Sequence, residues 1–409
     1  MLKEKIVSSV LTLVIASSVL AQTSRPAVSS PAAPVQKTTI ATMPSIPSLY
    51  SWHIRPNVPD GYFSSDFPQP VCGLVNGIPK IFIFTNFAYY PSQNLNNQSS
   101  AVRVGEVTTP ADTYQLLPHS LPGARWEFAA TSILKSGNDH TIYIFGGKNS
   151  SGDLDDVYSH TAAGGFQFVT NIPARLGKPG ARAGAVALPA NGKIYLFGGA
   201  QGGNTVLNQV LEFDPQLGQF TNKTLTMPVA FHGARGMTKA VGTANYIYLV
   251  GAKTTPYGAP NFLIYRFDAQ TGVTVSVKDL NNPAADLSIP PSGSGYPMIT
   301  WDPSGSIRII AASGNGSSGP WTWGNIQAWI LTDNYSGPNN GQAKLTAAPY
   351  NNAARARDMA GVVKCGPSTY LIGGTYGHGP TFQNRGMLVD RLGSLVYGPV
   401  QINPSMKTF

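Results

Sequence analysis

Four arginines follow an alanine in matching settings: Arg125 in "ARWE", Arg182 in "ARAG", Arg235 in "ARGM" and Arg357 in "ARDM". Each stands just before an apolar run, so a repeating fold would carry all four to one place. A guanidinium fork serves an anionic ligand and a neighbouring loop carbonyl equally well. The spacing therefore admits an anion site or a set of structural braces, and the sequence weighs them evenly. Glu127 and Asp358 stand close behind two of the arginines and are able to neutralise them. Trp126, Tyr296 and His232 lie near the same points and add stacking surface for a sugar ring.

Other reactive types are scattered. Asp153, Asp155 and Asp156 supply oxygens, but the remaining ligands of a calcium loop are missing, and turn chemistry ahead of a strand accounts for them. The six histidines (His53, His119, His140, His160, His232 and His378) show no HxH or HxxxH spacing. There is no GxSxG elbow, HExxH, Walker loop or CxxC. No catalytic residue, metal or cofactor is marked out, and the reading leans away from an enzyme.

The elements that must position these residues are short strands. Of 409 residues only 11% are charged, while 44 glycines and 33 prolines supply frequent turns. The stretch "TIYIFGGKNSSGDLDDVY" from Thr141 recurs as "KIYLFGGAQGGNTVLNQVLEFDP" from Lys193 and "YIYLVGAKTTPYGAPNFLIYRFD" from Tyr246, with weaker copies from Lys80, Ile307 and Thr369. Six units spaced by roughly fifty to sixty residues are expected to form a propeller or solenoid. Each has an apolar strand upstream ("CGLVNG", "FAATSIL", "AGAVAL", "MTKAVGT", "MITWD", "MAGVVKC") and further strands downstream. The expectation is an all-β, six-bladed propeller of four-stranded antiparallel blades.

The strand-plus-glycine pairs at Gly146-Gly147, Gly198-Gly199 and Gly373-Gly374, with "LDDVYSH" and "VLNQVLEFDP" downstream, resemble the kelch-repeat family of β-propellers, from about Pro70 to the C-terminus. Catalytic relatives of that architecture resemble galactose oxidase, a radical-copper enzyme. Cys72 matches its cross-linked cysteine, yet the tyrosine position after Arg125 holds Glu127. Arg357 is followed by Asp358, Met359 and Ala360 in place of a tyrosine and a histidine. The resemblance thus implies the fold without the copper site.

Residues 1–21 read as a secretory signal, with Lys3 and Lys5, an apolar run from Ile6 to Leu20, and Val19-Leu20-Ala21 at the cleavage point. Residues 22–50, rich in Pro, Ser, Thr and Ala, read as a linker, and 51–409 as the propeller. Sequons at Asn97, Asn149, Asn222, Asn315 and Asn334 agree with export as glycosylation sites. The net charge of +9 favours anionic partners, while scattered basic residues and the signal argue against nucleic acid. The functional expectation is a secreted or cell-wall monomer, free of the membrane after signal cleavage. It binds an anionic glycan or an acidic protein surface. The alternatives are a carbohydrate-acting enzyme, oxidase-like or sialic-acid mutarotase-like, and a structural wall or matrix glycoprotein.

Two further expectations concern closure. Each unit is expected to own its four strands, from "TYQLLPH" ending the first to "SLVYGPVQI" ending the last, with no swapped strand. Cys72 and Cys365 lie in the first and last units, but their distances from the hairpin turns differ by about 13 Å along the strand. A disulfide needs Cα atoms within about 7 Å, so two separate thiols are expected.

Overall fold

The computed structural model describes residues 50–55, 69–85, 102–108, 113–121, 123, 125, 127–136, 139–149, 151–173, 186–201, 205–230, 232–251, 254–255, 261–290, 297–301, 305–314, 323–348, 361–372 and 389–394. Among these the single helical element is a 3-10 turn, Gly337–Asn339. The remaining regular structure is strand, in six principal sheets and a two-stranded ribbon.

The first sheet is built from Gln69–Val75, Ile78–Thr85, Val102–Thr108 and Thr113–Leu121. The second comprises Ala129–Ser136, Asp139–Asn149, Gly152–Thr161 and Gly165–Asn171. The third starts with Val186–Ala190 and Lys193–Phe197, and its third strand, Gln209–Asp214, pairs both Gln219–Phe220 and Leu225–Thr226. Arg235–Val241, Ala244–Val250, Ile264–Asp268 and Val273–Ser276 form the fourth. The fifth runs Met298–Trp301, Ile307–Gly314, Trp323–Asp333 and Gln342–Ala347. Its outer edge is joined in parallel by Lys278–Asp279, a short strand that follows the fourth sheet in the chain and so braces the two. The sixth contains Gly361–Cys365, Ser368–Ile372 and Val389–Ser394.

The second strand of each unit is an unbroken apolar run because both of its faces are covered. Ile142 and Ile144 pack with Val71, Phe82 and Phe84 of the first sheet, while Tyr143 and Phe145 pack with Ile194, Leu196 and Phe213 of the third. The period of two persists, but both sets are buried. Phe197 and Tyr195 likewise face Ile247 and Leu249 of the fourth sheet, and Tyr248 and Val250 face Ile299 and Ile309 of the fifth. Met298 and Ile310 meet Leu371 of the sixth. Cys365, Tyr370 and Ile372 of the sixth sheet then pack on Ile81 and Ile83 of the first.

Closure departs from both sequence expectations. Tyr50–Arg55 pairs antiparallel with Val389–Ser394, from Tyr50↔Ser394 to Arg55↔Val389, and supplies the outer strand of the sixth sheet. The last unit therefore does not own four strands, and a swapped N-terminal strand occupies the place assigned to "SLVYGPVQI". Most of that segment, residues 395–402, lies outside the described residues. The swapped strand begins at Tyr50, the last residue of the segment read from sequence as a linker.

Cys72 and Cys365 form a disulfide with a Cα separation of 5.3 Å. The expected offset assumed that the hairpin turns of neighbouring sheets stand level, and they do not. Thr238, four residues before its turn, donates its hydroxyl to the carbonyl of Pro189, two residues before its own turn (2.8 Å). Successive inner strands are thus staggered. Cys365, one residue before its turn, meets Cys72, four before its own, by a stagger of the same sense.

Between the first and second sheets lies a buried histidine pair. His160 is fully buried, its Nε2 is 3.3 Å from Nδ1 of His119, and its ring packs against Phe84 and Phe166. Burial first, and the neighbouring His119 second, lower its pKa to about 4. A base whose folded pKa falls below its ordinary value of about 6.5 takes up its proton in the unfolded chain first, so stability rises with pH across that window. Stability is expected to drop by about 3 kcal/mol between pH 6.5 and 4, read as a shift in denaturant midpoint. His160→Phe is expected to flatten that slope, and an unchanged slope contradicts the assignment.

Candidate functional site

A cavity of about 300 Å³ is lined by the inner strands of all six sheets: Pro70–Cys72, Ala130–Ser132, Val186–Pro189, Arg235–Thr238, Ile299–Trp301 and Gly361–Lys364. Among the described residues that line it, the charged side chains are Arg235 and Lys364. Two hydroxyls are already committed to neighbouring strands, Thr238 to the Pro189 carbonyl and Ser132 to the Cys72 carbonyl (2.5 Å). Thr131 and Thr300 are buried in the wall. The cavity therefore has a mixed polar and apolar lining, and its size is that of a small-molecule site.

The sequence-derived residues divide. Arg235 opens the inner strand of the fourth sheet, is half-buried and lines the cavity. Arg125 is 3% exposed and turned into the second sheet. Its NH1 and NH2 donate to the two carboxylate oxygens of Asp156 at 2.5 and 2.9 Å, NH1 also reaches the Gly146 carbonyl at 3.1 Å, and its guanidinium lies 5.2 Å from the Tyr158 ring centroid. The glycine pair makes this possible: Gly146 and Gly147 take φ of 53° and 96°, a conformation that aims a carbonyl at the arginine and that a Cβ would resist. Glu127 pairs with Lys148 at 3.1 Å, so the partner of Arg125 is Asp156 in place of the acid nearer in sequence. Asp153, Asp155 and Asp156 lie inside the strand Gly152–Thr161, not in the turn ahead of it.

His232 is 5% exposed and donates Nε2–H to the Thr255 carbonyl at 2.9 Å. Arg182, Arg357, Trp126, Tyr296, Asn97 and Asn315 lie outside the described residues. Of the remaining sequons, Asn222 is exposed, Asn149 accepts the Ser151 N–H at 2.8 Å, and Asn334 donates its side-chain nitrogen to the Gln342 carbonyl at 2.8 Å. A glycan on Asn334 would replace one of the two hydrogens of that nitrogen, leaving the other to keep the bond. Among the described residues no group of three or more His, Cys, Asp or Glu is placed to hold a metal ion.

Lys364, Trp301 and Lys239 went unmarked in the sequence, although "MTKAV" and "GVVKC" both place a lysine two or three residues before the inner hairpin turn. That recurrence was the available signal.

No family model matches the chain. A kelch domain-containing protein of Archaeoglobus fulgidus is 27% identical over 156 residues, which are 38% of this chain and 44% of that protein. The match thus spans less than half the length of that relative. The solved structure of YjhT superposes with a TM-score of 0.53 at 16% identity, covering 82% of this chain and 95% of that one. These likenesses support a kelch-type β-propeller. The glycine pairs, the Arg125–Asp156 fork and the four-stranded antiparallel sheets fit that architecture.

Proposed function

We propose that the chain is a closed, six-bladed kelch-type propeller that works as a secreted binding module and takes an anionic glycan at a cationic channel mouth marked by Arg235. The observation that carries this reading is the lining of the cavity, whose charged side chains among the described residues are Arg235 and Lys364. Closure is supported by the packing of the sixth sheet on the first and by the strand Tyr50–Arg55. The Cys72–Cys365 bond suits an oxidising compartment, in keeping with the signal-like N-terminus. Arg182 and Arg357 share the Ala-Arg setting but lie outside the described residues, so the mouth is argued from Arg235, whereas Arg125 is a brace.

The test is a screen of uronate-, sialic acid- and sulfate-bearing glycans against neutral ones at two ionic strengths. Acidic glycans should be retained and should weaken with added salt, since partly exposed charges are screened. Equal retention of neutral glycans, or none of either class, contradicts the proposal.

A further inference from the structure

At the turn ends of the inner strands the indole of Trp301 carries an ammonium group from each neighbouring sheet. Lys239 Nζ and Lys364 Nζ each lie 5.6 Å from its ring centroid. Lys239 is also 5.5 Å from the Tyr335 ring, and Arg266 continues the row at 5.8 Å from Tyr335 and 4.8 Å from Tyr246. This row of three cations contains one carboxylate, Asp333. Its Oδ2 is taken by Arg266 at 3.0 Å and by the Tyr248 hydroxyl at 2.5 Å. Neither lysine has a hydrogen-bond acceptor or an ion-pair partner among the described residues. Burial lowers the Lys239 pKa, with Asp333 opposing it. An aromatic face attracts an ammonium but accepts none of its three N–H donors in the way an oxygen does.

Trp301 and Lys364 both line the cavity, so Lys364 is reachable from the channel, and Lys239 directly follows the lining residue Thr238. The Thr369 hydroxyl donates to the Trp301 carbonyl at 2.6 Å and fixes the strand end that carries the indole. Lys239 lies four residues beyond Arg235 on the same strand, about 13 Å along it. The two positions are therefore separate. Three cations against one carboxylate leave a surplus that a dianion balances, and a tetrahedral oxyanion has enough oxygens to accept from both ammonium groups.

We propose that Lys239 and Lys364, held on Trp301, form a second anion site at the turn side of the channel that takes a tetrahedral oxyanion, as in a phosphate or sulfate ester. The site shares the cavity with Arg235 through Lys364 but is centred on Trp301, with Lys239 four residues along the strand from Arg235. The experiment is thermal unfolding of the full chain in rising inorganic phosphate, and separately inorganic sulfate, at ionic strength held constant with chloride. The expected result is a saturable rise in Tm. Lys364→Gln and Lys239→Gln should each raise the half-saturating concentration at least tenfold, Lys364→Arg should keep binding, and Arg235→Ala should leave it unchanged. A stronger response to one anion assigns the source as phosphate or sulfate. If Lys239→Gln fails to fold, Lys364→Gln reads the site alone. A rise that is linear and shared by the variants is ordinary salting behaviour. That result, or a rise lost in Arg235→Ala and kept in both glutamine variants, overturns the site.

Discussion

Replacing Cys72 and Cys365 together with alanine is expected to lower the unfolding free energy by about 6 kcal/mol, the value the chain-entropy account gives for a closed loop of this length. The bond spans 293 residues of sequence and joins the first sheet to the sixth, so it restrains nearly the whole unfolded chain. Its sulfurs sit with Ile81, Ile83, Tyr370 and Ile372, in the contact between those two sheets. Guanidinium denaturation of the oxidised protein, the reduced protein and the double variant checks this. The reduced and double-variant midpoints should agree with each other and fall below the oxidised one. Three coincident midpoints would mean that sheet packing alone sets stability.

Removing the strand Tyr50–Arg55 is the other large effect. Six residue pairs of antiparallel ladder are lost with it, and at about 0.5–1.5 kcal/mol per backbone bond, with about one bond per pair, the cost is about 3–9 kcal/mol. The deletion also bares Val389–Ser394 as an open edge, a template for association between copies. A chain beginning at Pro56 should melt lower than one beginning at Gln22 and should aggregate as it does so. A synthetic peptide covering residues 48–56 should recover part of the difference. Identical melting of the two chains would show that the strand contributes nothing to the sixth sheet.

Much of the fold was legible because kelch-type strands are buried on both faces and read as unbroken apolar runs. "TIYIF" and "KIYLF" announce themselves, and the glycine pairs mark where those runs end. Closure was not legible for a different reason. It depends on which distant segment reaches the last sheet, and "YSWHIR" lies between a proline-rich linker and Pro56 with no repeat partner to identify it. Its alternation of Tyr50, Trp52 and Ile54 was the available hint. The cysteine pair was missed because sequence carries strand lengths but not the stagger between neighbouring sheets.

The arginines show the same limit at the site. Ala-Arg in "ARWE" and in "ARGM" look equivalent, yet one side chain is drawn inward by Asp156, 31 residues downstream, and the other stays at the cavity. A position repeated by symmetry does not repeat its partners.

The measurement that bears most directly on the functional account is affinity and melting temperature together on Arg235→Ala and Arg125→Ala, using the acidic glycan retained most strongly in the screen. Arg235→Ala should lose about 1.5–3 kcal/mol of affinity, tenfold or more, with little change in Tm. Arg125→Ala leaves Asp156 and the Gly146 carbonyl without their donor and should lose about 3 kcal/mol of stability, with affinity nearly kept once folded. If Arg235→Ala instead lowers Tm and leaves glycan affinity unchanged, both arginines are braces and the anion-binding channel is contradicted.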